Sequence, residues 1–312
     1  MREKSQEKNV KPVFQENIKE FFQMNAQLQF AAEMLSKQRE EYRKIPPLGK
    51  RISIDGVDCI LHLPEETKTK LPLFIELHGG AWVGGDAVFV DSLCQKIFRE
   101  APCIAVNLNY KKLDVHPFPY PMQEVCTVIS HFIKNSGLYG ADPERIIICG
   151  QSAGAHIAAG AAVLAKEKGL PIARQILVYP FLDWTGKLPN PMKNQIDSAT
   201  LAEIHNLFFG DLDPSAPYLS PAAAQESDLS GVAPADIIVC GKDLLKPHGE
   251  AYFQKLRQAG QSATLKEYES ALHGFLEVNR PDFISPNEAK GEHQAALARD
   301  CEKYIIDIVR KV

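Results

Sequence analysis

The chain has 312 residues, 45% of them apolar and 24% charged, which is enough to build a large core beneath a polar surface. Its net charge of −4 excludes a general nucleic-acid footprint, because such a surface needs a clustered excess of Lys and Arg against phosphates. Residues 1–11 are charged and lack the apolar run of a secretory signal, while the least polar long run, 153–165, is shorter than the roughly 20 residues of a bilayer span, so the expectation is a cytoplasmic protein without stable membrane insertion.

In chain order, residues 14–44 are rich in helix formers, with apolar residues at approximately helical spacing, and Pro46-Pro47 ends the run. This predicts an N-terminal helical arm over 1–47, followed by the main domain over 48–312. Residues 51–63 read as two strands around Asp55-Gly56, a pair suited to a tight hairpin. Short β-rich runs follow at 73–77, 103–108, 145–149, 175–179, 235–240 and 264–268. Helical candidates lie between and after them at 87–99, 122–135, 153–168, 247–259 and 287–310. A hairpin followed by this alternation predicts an α/β fold, a mostly parallel sheet with helices on both faces and its functional loops at the strands' carboxyl ends.

One stretch breaks the alternation. From Asp183 to Pro234 the chain is rich in Pro, Asn, Asp and Ser around a single helical candidate, 198–209, and so long a connection predicts a cap insertion, at about 183–217, packed with the N-terminal arm. Phe21, Phe22, Phe30, Phe208 and Phe209 would pack that cap onto the core.

The seven cysteines, Cys59, Cys94, Cys103, Cys126, Cys149, Cys240 and Cys301, are scattered, with no CxxC pair, and most sit in apolar runs. They read as buried free thiols, and no metal site is expected.

Three features carry chemistry. Gly150-Gln151-Ser152-Ala153-Gly154 stands between a strand and a helix, the setting in which a sharp turn lifts a serine hydroxyl out of a sheet as a nucleophile. His78-Gly79-Gly80-Ala81-Trp82 follows a strand directly, and Gly79 and Gly80, with the N–H of Ala153, are the natural donors for an oxyanion hole. His273 and Asp243 each follow a late strand, giving the chain order Ser, Asp, His of a catalytic triad. Asp183, after the strand at 175–179, is the competing acid. His156, one helical turn beyond Ser152, reads as a packed helix residue, and His116 and His248 as structural or exposed.

These blocks resemble the hormone-sensitive-lipase-like carboxylesterases, over about residues 73–275. The similarity also takes in Tyr110 with His116-Pro117-Phe118-Pro119, Gly140-Ala141-Asp142-Pro143, Tyr218-Leu219-Ser220-Pro221, Gly249-Glu250-Ala251-Tyr252 and His273-Gly274-Phe275. It implies an α/β-hydrolase fold with a helical cap, the same triad and oxyanion residues, and hydrolysis of short to medium acyl esters as small-molecule substrates without a cofactor. Four positions depart from the family pattern: Ala81 replaces a glycine, Gln151 a residue that is often acidic, residues 111–115 lack the usual LAPE-like sequence, and Leu244 stands where proline commonly follows the acid. Ala81-Trp82 also resembles the HGGxW motif of the arylformamidases, so amide hydrolysis is the alternative activity and a ligand receptor on the same fold the alternative class. A homodimer formed edge to edge through the last strand and terminal helix is compatible with this order.

Overall fold

The computed structural model describes residues 26–66, 68–191, 198–276 and 291–312. Positive φ at Asp55 (47°) and Gly56 (89°) turns strand β1 (Lys50–Ile54) back on β2 (Val57–His62), the hairpin expected from that pair. Six further strands complete one sheet: β3 (Leu71–Leu77), β4 (Ile104–Leu108), β5 (Ala141–Gln151), β6 (Arg174–Val178), β7 (Ala235–Cys240) and β8 (Ala263–Tyr268). Their order is β1-β2-β4-β3-β5-β6-β7-β8, antiparallel from β1 to β4 and parallel from there to β8.

The parallel strands are apolar on both faces because helices cover both. One face, carrying Leu73, Ile75, Ile146 and Ile237, packs against α3 (Tyr120–Lys134), α4 (Ala153–Glu167) and α6 (Lys246–Gln258). The other, carrying Phe74, Ile147, Ile176 and Ile238, packs against α2 (Asp91–Glu100) and the C-terminal α7 (Glu292–Val309). All seven cysteines are buried free thiols, as expected.

Two boundaries differ from the sequence reading. The expected helix over 87–99 is interrupted: Asp86 accepts from the Val88 amide (3.1 Å) and closes a separate 3-10 turn, Ala87–Phe89, before α2 begins. Strand β5 starts at Ala141 because Leu71 pairs with it across a register shift that the Asp142-Pro143 pair concealed.

Helix α1 (Ala26–Lys44) lies within the predicted arm, and residues 1–25, including Phe21 and Phe22, fall outside the described residues, as does the side chain of Phe30. α1 docks on the edge where β3 ends, Tyr42 meeting Phe89 edge-on at 4.5 Å and Arg39 bonding the Val83 carbonyl and both oxygens of Asp114. The long connection between β6 and β7 holds helix α5 (Ser198–Phe209) at the expected position. No helix among the described residues is long and apolar enough to cross a membrane.

Candidate active site

Every chemistry-bearing loop leaves the carboxyl end of a parallel strand, so the sheet gathers them at one edge. Beyond β5 the backbone turns sharply through Ser152, at φ 52° and ψ −115°, and α4 begins at the next residue. A non-glycine residue in this region is strained and must be held by its surroundings. Here the Ser152 amide donates to the Val178 carbonyl (2.9 Å), and Gly154 supplies the space: a Cβ there would lie 2.0 Å from the Leu77 carbonyl oxygen. The glycines of the pentapeptide therefore bring the start of α4 against the end of β3.

His273 and Asp243 hang from the neighbouring strands β8 and β7. The Lys242 amide donates to the Ala271 carbonyl (3.1 Å) and the Gly241 amide to that of Tyr268 (2.9 Å), clasping the two loops together. The result is a continuous chain of contacts, with His273 Nε2 at 2.9 Å from Ser152 Oγ and His273 Nδ1 at 2.6 Å from Asp243 Oδ2. The second carboxylate oxygen of Asp243 accepts from the Leu245 amide at 2.9 Å. The imidazole side chain is 35% exposed and the Asp243 side chain 5%, so a ligand can reach the ring while the carboxylate stays dry.

Asp183 does not compete. It is fully buried and turned into its own loop, accepting from the Thr185 amide and hydroxyl and the Leu188 amide. His248 is buried as well, its two nitrogens meeting the Leu182 amide and the Pro189 carbonyl.

The loop after β3 takes unusual backbone angles, with φ at 124° for Gly80, 50° for Ala81 and 65° for Trp82. Gly80 has no alternative, since a Cβ would lie 2.5 Å from the Gly84 carbonyl oxygen, whose own amide donates back to Gly80 (2.7 Å). Ala81, standing where the resembled family has glycine, carries its positive φ on an exposed methyl-bearing residue. His78 Nδ1 lies 2.5 Å from the Gly79 carbonyl, and the Tyr110 hydroxyl donates to the His78 carbonyl at 2.9 Å.

Lys112 completes this arrangement and escaped the sequence reading. It sits in the Tyr110-Lys111-Lys112-Leu113 stretch, where a lysine pair after a strand reads as solvated surface, yet it is buried. Its ammonium meets His78 Nε2 (2.9 Å), the Tyr110 carbonyl (2.8 Å) and Asn109 Oδ1 (3.1 Å). Burial pushes it down to about 7, against the pull of Asp86. Burial and the Lys112 charge together hold the His78 imidazole well below its ordinary range, hence neutral. On β3, burial pushes Glu76, beside Cys149 and Gln151, up to about 8, so it is a neutral acid at pH 7.

Against α4, Trp82, Phe118, Phe181, Trp184, Phe208 and Phe209 form a buried aromatic block. Phe208 and Phe209 thus pack α5 against Phe118 and Trp184. His156 ties the block to α4: its Nδ1 accepts from the Trp82 indole (3.1 Å), while its Nε2–H donates to the Leu219 carbonyl (2.8 Å). Burial lowers this imidazole to about 4, so it is neutral and structural. Among the described residues no group of three or more His, Cys, Asp and Glu side chains could hold a metal ion.

A family model described as alpha/beta hydrolase fold matches residues 74–277, a span that includes both glycine loops, Asp243 and His273. The chain belongs to this family. Within the α/β hydrolases it falls with the hormone-sensitive-lipase-like serine carboxylesterases. The carboxylic ester hydrolase LipN of Mycobacterium tuberculosis is 32% identical over 66% of this chain, which spans 58% of the LipN length. The carboxylesterase NlhH of the same organism is 29% identical, over 88% of this chain and 86% of its own. A thermostable esterase from Pseudomonas putida shares the fold, with a TM-score of 0.70, 21% identity, and 95% of this chain and 96% of that one covered.

Proposed function

We propose that this α/β hydrolase cleaves carboxylic esters of short to medium acyl chains through an acyl-enzyme formed on Ser152. The observation that carries the reading is the unbroken chain from Ser152 Oγ through His273 to Asp243. In the first half-reaction Ser152 Oγ attacks the acyl carbon as its proton passes to His273 Nε2. Asp243, bonded to Nδ1–H, keeps the ring in the receptive tautomer and stabilises the imidazolium. The amides of Gly79, Gly80 and Ala153 receive the developing oxyanion, and the ester carbon–oxygen bond breaks as His273 protonates the leaving alcohol. Water, deprotonated by the same imidazole, then attacks the acyl carbon and releases the acid with Ser152 restored.

The N-terminal arm, residues 1–47, and the insertion at about 183–217 form the cap in this reading, supported by the contacts of α1 with the loop after β3 and of α5 with the aromatic block. The buried free thiols suit a reducing compartment such as the cytoplasm.

Initial rates on p-nitrophenyl acetate, butyrate, octanoate and laurate test the reading, with Ser152→Ala as control in each. The expected result is hydrolysis fastest on the shorter chains and abolished in the variant. Faster turnover of N-formyl-kynurenine than of any of these esters would instead favour an amide hydrolase, and rates unchanged in Ser152→Ala would remove Ser152 from the chemistry.

A further inference from the structure

Lys112 has no part in the mechanism above, yet it occupies an expensive position. Burying an ammonium costs several kcal/mol unless its donors are matched, whereas an apolar side chain of similar length could fill such a space without that cost. Three acceptors surround Nζ: His78 Nε2, the Tyr110 carbonyl and Asn109 Oδ1, at 2.8–3.1 Å. The ammonium also lies 4.0 Å from the centre of the Tyr110 ring, which stacks on the His78 imidazole at 4.4 Å.

The consequence for His78 follows from proton counting. A neutral imidazole carries one N–H, and the nitrogen facing a donor must be the one without it. The Gly79 carbonyl can only accept, so the nitrogen beside it, Nδ1, carries the proton and donates to it, which leaves Nε2 as the acceptor facing Lys112 Nζ. In a trans peptide the C=O and the N–H of one plane point in opposite directions, so holding one aims the other. The Gly79 carbonyl shares its plane with the Gly80 amide, and the His78 carbonyl, held by the Tyr110 hydroxyl, shares its plane with the Gly79 amide. Tyr110 directly, and Lys112 through the His78 ring, therefore act on the carbonyls of both peptide units whose amides are the proposed oxyanion donors. Space enforces the arrangement as well, since a Cβ on Gly85 would lie 2.6 Å from His78 Nδ1 and 2.7 Å from the Gly79 carbonyl oxygen.

We propose that Lys112 is a positioning residue for ester hydrolysis: by donating to His78 Nε2 it fixes the imidazole proton on Nδ1, which holds the Gly79 carbonyl and so aims the Gly80 amide at the developing oxyanion. The inference rests on the esterase reading for its catalytic consequence, but the tautomer it assigns to His78 does not.

Lys112→Met keeps the length and removes every donor. On p-nitrophenyl butyrate its kcat is expected to fall roughly 10 to 100-fold, less than the loss of a whole oxyanion donor, with KM within about twofold of wild type. Imidazole nitrogen NMR of the wild-type chain is expected to show His78 as the Nδ1–H tautomer, and that of the variant a mixture. A kcat within twofold of wild type, a rise in KM at constant kcat, or an Nε2–H tautomer in the wild-type chain would each overturn the proposal. Should the variant fail to fold, the wild-type spectrum decides alone. Should wild type and Ser152→Ala both be inactive on the ester, the esterase reading fails while the spectrum still judges Lys112.

Discussion

The strand-end constellation around Ser152 and the aromatic block around Trp82 are neighbours built by different physics. Ser152, Asp243 and His273 hang from β5, β7 and β8 on short polar loops, the backbone sets their spacing, and the ring that joins them is part exposed. Trp82, His156 and the phenylalanines are buried, meet through side-chain faces, and come from the loop after β3, the segment between β4 and α3, α4, the connection after β6 and α5. Two histidines make the contrast concrete. His273 faces an acid and a hydroxyl in a place a ligand can enter, whereas His156 spends both nitrogens on an indole and a carbonyl in a dry core. The first kind of site suits the proton transfer of the proposed hydrolysis, and the second packs a loop and α5 against α4.

The largest effect expected from this contrast lies on the strand-end side. Asp243→Asn should preserve the fold and lower kcat on aryl esters by roughly 10,000-fold, because an amide in that place favours the wrong tautomer of His273. Steady-state kinetics with circular dichroism as the folding control measure it, and a fall of less than tenfold would place the orienting acid elsewhere.

On the aromatic side the order of effects reverses. His156→Leu leaves the Trp82 indole N–H and the Leu219 carbonyl unpaired, a loss of about 1–3 kcal/mol for each group that cannot find water. Urea midpoints should therefore drop clearly while kcat stays within about tenfold of wild type. A kcat loss as deep as that of Asp243→Asn would give His156 a part in the chemistry.

The last effect, on stability alone and with none expected on kcat, concerns Glu76, which is buried beside Cys149 and Gln151 and belongs to neither group. Folding raises its pKa from an ordinary 4.5 to about 8 by desolvation. Between those values the folded chain binds the proton that the unfolded chain releases, so the Glu76 contribution to stability is whole below about pH 4.5 and declines as pH rises towards 8. Glu76→Gln should flatten that decline, as read from urea midpoints at pH 5, 6.5 and 8, and an unchanged slope would mean that Glu76 is ionised in the folded chain.

The difference between the two regions also explains what the sequence could disclose. The sheet was legible because apolar runs alternate with helical spacing, and the proposed triad could be named because each candidate follows a strand in a fixed chain order. Asp243 and Asp183 looked alike as residues after strands, and only the capping bonds inside the Asp183 loop separate them. Lys112 was hidden for a different reason. A lysine beside another lysine carries no periodic signal of burial, and although Asn109 and Tyr110 are near it in the chain, His78 lies 34 residues away and is brought to it by the pairing of β3 with β4. His156 was read as a packed residue from its place on α4, but its partners, Trp82 and Leu219, lie 74 and 63 residues away in the chain.

The most direct test of the account is covalent labelling of the full chain with a fluorophosphonate probe, followed by mass mapping of the modified peptide. An adduct on Ser152, absent from Ser152→Ala and strongly slowed in Asp243→Asn, is the predicted result. A wild-type chain that turns over aryl esters but carries no adduct on Ser152, or carries it on another residue, would contradict the account.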